Sequence, residues 1–274
     1  MKAPEALRAV LRGLATFEPG SVWLAGAGPG DPGLLTLAVI AALAQADTVV
    51  HDALVDARIL ALARADAALV FAGKRGGRPS AVQDDISDRL VAFARAGRRV
   101  LRLKGGDPCV FGRGGEEALA LARAGIPFRL LPGLTAGLAG LAAAAIPATL
   151  RGVNQAIVLA TGHDPEGGAL DWAALARLDQ PIVLYMARRS AGAIAREMLS
   201  GGIDPDLPAA VIAAATAPRQ HVATATLRDL PALVATVREA DPAIVVIGRI
   251  VAAREELAAL LPAAQERLAW LQPA

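Results

Sequence analysis

The segment RLKGGDPCVFGRGGEE, residues 102–117, constrains this chain more than any other. A strand-like run over 99–103 breaks into Gly105-Gly106-Asp107-Pro108. A second glycine cluster follows at Gly112, Gly114 and Gly115, and a helix begins at Glu116-Glu117. Strand, glycine loop and helix in that order belong to an open α/β sheet, whose ligands sit beyond the carboxyl ends of the strands. A plain turn needs one or two glycines. Five in one loop mean close backbone approach to a partner, with an aspartate and an arginine to orient it.

Similar units repeat along the first half. Strands are predicted at 21–25, 48–51, 68–72, 99–103 and 128–131. Helices fall between them: from Asp31, an N-cap followed by Pro32, to about Gln45, then at 57–65, 83–96 and 116–124. The βα alternation predicts a mainly parallel sheet. Further strands are expected at 155–160, 181–185, 209–213 and 243–247, with a helix over 191–199 stopped by Gly201-Gly202 and a polar segment over 216–226. The fold class is therefore α/β in two domains. Residues 1–19 form an N-terminal helical extension with apolar spacing at Leu7, Val10, Leu11 and Leu14. The domains cover 20–135 and 136–255, and 256–274 form a C-terminal helical tail.

Composition narrows the function. Aromatic residues make up only 3% of the chain, too few for a base-stacking nucleic-acid surface, and the net charge of +2 comes from evenly spread ions. The single cysteine, Cys109, and the separated His51, His163 and His221 make no metal-ligand pattern. Residues 130–150 carry no charge, but their alanines, glycines and prolines suit a buried helix better than a membrane span. With no signal-peptide pattern, a soluble cytoplasmic protein is expected.

Candidate site residues gather at predicted strand ends. Gly26-Ala-Gly28-Pro29-Gly30-Asp31 precedes a helix, and Asp52 lies 22 residues past Gly30, as in a dinucleotide fingerprint. Pro29 removes a backbone donor and Asp31 sets a negative charge where phosphates would sit, so a nicotinamide-dependent dehydrogenase ranks below other readings. Asp52 is placed to act as a general base, or as a cap. Lys74-Arg75-Gly-Gly-Arg78 can bind carboxylates, or be an ordinary solvated loop. Asp52, Lys74 and Asp107 all follow strands and are expected to share one cleft. Leu131-Pro132-Gly133-Leu134-Thr135 lies at the same edge, and Met186 closes a strand of the second half.

Together these segments resemble the tetrapyrrole methylases. The matching pieces are GAGPGDPGLLTL from Gly26, HDALV from His51, GKR from Gly73, the long central motif, PGLTA from Pro132, TGH from Thr161, LDW from Leu170, YMA from Tyr185 and PRQ from Pro218. They keep the family's order over roughly residues 20–255, and run closest to the members that methylate uroporphyrinogen III. The resemblance implies a homodimer of two-domain α/β chains, with S-adenosylmethionine in the cleft between domains and S-adenosylhomocysteine as its product. Pro29, Gly105, Gly106, Asp107, Val110, Thr135, Ala136, Met186 and Ala215 take the positions of cofactor contacts. Asp52 and Lys74 take those of proton acceptor and donor. Arg75, Arg78, Arg113 and Arg151 are candidates to bind the substrate's carboxylates.

The implied reaction methylates uroporphyrinogen III twice to precorrin-2, feeding cobalamin or sirohaem synthesis, without a metal. A methylase of a later precorrin is the close alternative, and a binding protein that keeps the cofactor but has lost turnover is another. A bifunctional sirohaem synthase is not expected. The chain departs from the family pattern at His51 (tyrosine), Cys109 (phenylalanine), Leu150 (histidine) and Ala213-Ala214-Ala215 (Glu-Asn-Gly).

Overall fold

In a computed structural model, residues 10, 13–73, 83–163 and 170–260 are described. Backbone contacts divide the chain into two units, Met1–Thr135 and Ala136–Ala274. The first is built on a five-stranded sheet in the order β3-β2-β4-β1-β5, with β1 (Val22–Gly26), β2 (Thr48–His51), β3 (Ala68–Phe71), β4 (Val100–Lys104) and β5 (Phe128–Leu131). Every pairing is parallel. All five residues of β1 and of β4 are buried, because helices cover both faces. Period-2 alternation then splits each strand between two cores. Trp23, Leu101 and Leu103 join Phe17, Leu43 and Ile59 on one side, while Val22, Leu24 and Val100 join Leu90 and Leu121 on the other. Phe17 stacks on Trp23 with ring centroids 4.3 Å apart.

The helix expected from Asp31 to Gln45 is two elements. Asp31 caps a single 3-10 turn, Pro32–Leu34, its carboxylate accepting from the Gly33 amide. The α-helix proper is Leu37–Leu43, capped by Thr36, which accepts from the Val39 amide. Two capping residues five positions apart explain the break, since each ends one hydrogen-bonding run and starts another. The helix expected at 57–65 is the single turn Ala57–Leu60.

The second unit carries a mixed sheet in the order β6-β7-β10-β8-β9: β6 (Val158–Thr161), β7 (Ile182–Tyr185), β8 (Pro208–Ala213), β9 (His221–Thr226) and β10 (Ala243–Ile247). Only β6 and β7 pair in parallel. β9 lies within the segment expected to be merely polar. Its HVATAT alternates β-branched residues with alanine, suits an edge strand, and is polar because one side of it meets solvent. The uncharged stretch near 140 contains the helix Ala136–Ala143, with Gly137, Gly140 and Leu141 buried. No helix of the described residues is long and apolar enough to cross a membrane. Residues 1–9 of the expected N-terminal helix and 261–274 of the expected tail lie outside the described residues.

Candidate functional site

Three loops of the first unit meet at the carboxyl edge of its sheet, after β1, β4 and β5. Gly28 and Gly106 exchange backbone hydrogen bonds, Gly28 donating at 3.1 Å and Gly106 at 2.7 Å. Both have positive φ, +68° and +70°, which glycine adopts without steric cost. A Cβ on Gly26 would stand 2.5 Å from the Gly106 carbonyl, and one on Gly133 would stand 2.4 Å from that same oxygen. Asp107 closes the junction: Oδ1 accepts from the Cys109 amide at 2.7 Å and Oδ2 from the Gly133 amide at 3.0 Å.

The close approach implied by five glycines is therefore made mostly by the chain to itself. A Cβ on Gly112 or Gly114 would meet the Pro108 carbonyl, and one on Gly105 would meet Leu54, whereas Gly115 has open space around it. Pro29 and Val110 sit half-buried in these loops, and Thr135 is buried at the end of the third. Cys109 is exposed, its thiol pushed above the ordinary value by desolvation and by the Asp107 carboxylate. The separation of Gly30 from the helix at Leu37 also removes the dinucleotide geometry, which needs a helix N-terminus directly after the glycines.

Asp52 follows β2 at the same edge. Its Oδ1 accepts from the Gly105 amide at 3.3 Å, and its Oδ2 lies 3.6 Å from the Arg102 guanidinium. Arg102 and Lys104, two residues apart on one face of β4, both reach Glu117 Oε1, at 3.1 and 3.0 Å. Glu117 belongs to the helix Gly114–Arg123 that covers this face, and all three of these side chains are buried. Burial draws the Lys104 ammonium below its ordinary range and Arg102 adds to this, while Glu117 and Asp52 oppose it. These buried charges were not singled out from sequence. Their signal is charged residues at alternate positions of a strand otherwise read as core. His51 packs edge-on against Phe71, with centroids 5.6 Å apart.

In the second unit, Met186 follows β7 with φ +53° and borders a cavity of about 540 Å³, together with His163, Arg188, Asp241 and Ala243. The neighbouring Tyr185 is buried, and its hydroxyl accepts from the Gly137 amide at 3.0 Å. That bond ties the end of β7 to the first turn of the helix that begins at Ala136. A Cβ on Gly140 of this helix would meet Ala215 at 3.3 Å. The PRQ segment, one of the pieces that carry the resemblance, is a turn that acts as a clasp. Gln220 Oε1 accepts from Thr216, Gln220 Nε2 donates to the Ala143 carbonyl, and Arg219 pairs with the buried Asp241 at 2.7 Å.

The candidate arginines differ in setting. Arg113 has φ +58° and pairs with Glu116 at 2.6 Å, both exposed, and Arg151 is exposed in the second unit. Lys74, Arg75 and Arg78 lie outside the described residues.

Comparison with known proteins bears on this arrangement. The family model for tetrapyrrole (corrin/porphyrin) methylases matches residues 21–231. A uroporphyrinogen-III C-methyltransferase of Sinorhizobium sp. is 55% identical over 248 residues, 89% of each chain. A siroheme synthase of Neisseria meningitidis is 48% identical over 242 residues, and the present chain spans 50% of that protein's length. Among solved structures, a uroporphyrin-III C-methyl transferase from Thermus thermophilus complexed with S-adenyl homocysteine matches with a TM-score of 0.73 and 38% identity, over 85% of this chain and 99% of that one. A cobalt precorrin-4 methyltransferase matches with a TM-score of 0.75 and 26% identity, over 85% of this chain and 96% of that one.

Proposed function

The chain belongs to the tetrapyrrole (corrin/porphyrin) methylases, and from that premise we propose that it methylates uroporphyrinogen III twice, with S-adenosylmethionine as donor, to give precorrin-2. One observation carries the choice of substrate: 55% identity across 89% of both chains to a uroporphyrinogen-III C-methyltransferase. Fold likeness does not discriminate, since the precorrin-4 enzyme superposes equally well; identity does, at 38% against 26%.

The residues suit the cofactor. The cavity beside Met186, at about 540 Å³, lies in the range of small-molecule sites. S-adenosylmethionine, when bound, supplies an electrophilic methyl group. The residues proposed to hold it are Pro29, Gly105, Gly106, Asp107, Val110, Thr135, Ala136, Met186 and Ala215. Asp107 acts there through its backbone and by bracing the loops, because both of its carboxylate oxygens already accept amide protons.

Asp52 takes the proton that the methylated pyrrole ring releases; it is half-buried, beside the Arg102 guanidinium and hydrogen-bonded to the Gly105 loop. Lys74 is assigned the opposite transfer. Arg75, Arg78, Arg113 and Arg151 pair with substrate carboxylates, and Arg113 must exchange Glu116 to do so. The working form is a cytoplasmic homodimer whose product enters sirohaem or cobalamin synthesis. The chain spans about half the length of the siroheme synthases it matches, so their full activity is not assigned to it.

The test is anaerobic incubation with S-adenosylmethionine and uroporphyrinogen III, read by product mass. Two added methyl groups are expected. Methylation only of a later precorrin overturns the substrate, and the absence of both turnover and S-adenosylhomocysteine binding overturns the function.

A further inference from the structure

We propose that Arg102 is a positioning residue for the methylation chemistry: from inside the core it holds the carboxylate of Asp52 at the sheet edge. This rests on the reading of Asp52 as proton acceptor. Arg102 is the middle residue of β4, with only 2% of its surface exposed, and a buried guanidinium needs a satisfied set of acceptors. Its Nε donates to Glu117 Oε1 at 3.1 Å. One terminal nitrogen bonds the Val50 and Leu103 carbonyls at 3.4 Å, and the other lies 3.6 Å from Asp52 Oδ2. The planar fork thus joins β2, β4 and the covering helix, and it points one arm at the only member of the cluster that solvent reaches well. Asp52 has 27% of its side chain exposed, against 3% for Arg102, 5% for Lys104 and none for Glu117.

Charge gives the arrangement its logic. Arg102 and Lys104 are two buried cations, and Glu117 balances one of them. Asp52 supplies the second carboxylate, 3.6 Å from the guanidinium, so the formal charges of the cluster balance when it is turned inward. Apart from Arg102, what holds the Asp52 carboxylate among the described residues is a long bond from the Gly105 amide. Losing the fork leaves the carboxylate free to swing toward solvent. A misplacement of about 1 Å at a reacting group can cost on the order of a hundredfold in rate. Lysine at this site keeps the charge but not the fork, and serves as the intermediate case.

A double-mutant cycle with Arg102→Gln and Asp52→Asn tests this, with Arg102→Lys as the conservative variant. Methyl transfer is followed alongside S-adenosylhomocysteine affinity by calorimetry and thermal unfolding. Arg102→Gln should lower kcat by about tenfold or more while cofactor affinity stays within about threefold, and Arg102→Lys should recover part of the loss. Adding Arg102→Gln to Asp52→Asn should lower kcat no further, since the first change acts through the residue removed by the second. Multiplicative losses, or a kcat untouched in Arg102→Gln, overturn the proposal. Normal turnover by Asp52→Asn overturns the acceptor reading instead, and is distinguishable because it appears in the single variant. If Arg102→Gln does not fold, the same cycle is run with Arg102→Lys, for which additivity is again the refuting outcome.

Discussion

Asp107 accepts the Gly133 amide at 3.0 Å and so spans two loops, those that follow β4 and β5. Its other oxygen takes the Cys109 amide at 2.7 Å. One short side chain thereby sets both the turn it starts and the distance to the neighbouring loop, at the edge where the first unit offers Pro29, Gly105 and Thr135. Both acceptors are needed for this, and alanine supplies neither.

Asp107→Ala should destabilise the protein by about 1–3 kcal/mol, the net worth of two hydrogen bonds, one exposed and one partly buried, and should weaken S-adenosylhomocysteine binding at the same time. Asp107→Asn keeps one acceptor and should fall between. Urea unfolding and calorimetry on the same samples check this. Wild-type stability with weak binding would mean instead that the carboxylate contacts the ligand directly.

The glycines of the same edge should respond unequally. A Cβ at Gly133 would stand 2.4 Å from one backbone carbonyl and 2.7 Å from the Gly26 backbone, neither of which can step aside. Gly133→Ala should therefore cost about 3 kcal/mol or prevent folding, at the upper end of the destabilisation usual for overpacking. Gly115 has nothing within 4 Å of a built Cβ and lies in a helix, so Gly115→Ala should stabilise by about 0.5–1 kcal/mol. Thermal unfolding of the pair reads both signs in one experiment.

Much of the first unit was legible because parallel strands buried on both faces leave continuous apolar runs, as at residues 22–25. The edge strand β9 was not, since half-exposed threonines read as loop as readily as strand. Asp31 and Thr36 compete as caps, and the pattern alone does not say that both are used. At the candidate site, glycine density marked loops that do pack closely, but most of that close approach is made by the chain to itself. The tie between Asp107 and Gly133 spans 26 residues, and that between Gln220 and Ala143 spans 77, so neither has a local signature. Arg102, Lys104 and Glu117 were within reach: two cations on one face of a core strand demand a buried anion.

Acid should unfold the protein through a few identifiable carboxylates. Asp47 is held below its ordinary value of 3.8 chiefly by the Arg99 amide, with Arg64 assisting against desolvation. Asp241 is held low by its hydrogen bond from Arg219, again against desolvation, with Arg238 contributing. A carboxyl whose folded pKa is depressed binds fewer protons folded than unfolded, so its stabilisation is complete above the ordinary value. It is then lost as pH falls through the folded value. Stability should hold from neutral pH to about 5 and decline steeply below about 4. Asp241→Asn should flatten part of that decline in urea titrations run from pH 7 to 3, and an unchanged slope would count against this assignment.

The turn after β8 offers the converse, a site where a substitution should help. Ala214 has φ +47° and Thr216 +63°, both in the left-handed region, with Ala214 almost fully buried and its amide bonded to the Pro242 carbonyl. A left-handed non-glycine residue carries about 1–2 kcal/mol of steric cost. The family pattern that the chain resembles has asparagine where Ala214 stands, one of the few residues that tolerates this conformation. Glycine removes the Cβ clash and adds no buried polar group, at an entropic cost in the unfolded chain of about 0.4–1 kcal/mol. Ala214→Gly should therefore raise stability by up to about 1 kcal/mol. Because Ala215 lies beside Gly140 of the helix that begins at Ala136, the relaxed turn should also leave cofactor affinity equal or improved. Thermal unfolding and S-adenosylhomocysteine calorimetry on the one variant check both, and a loss of stability would mean that the alanine methyl packs well enough to offset its strain.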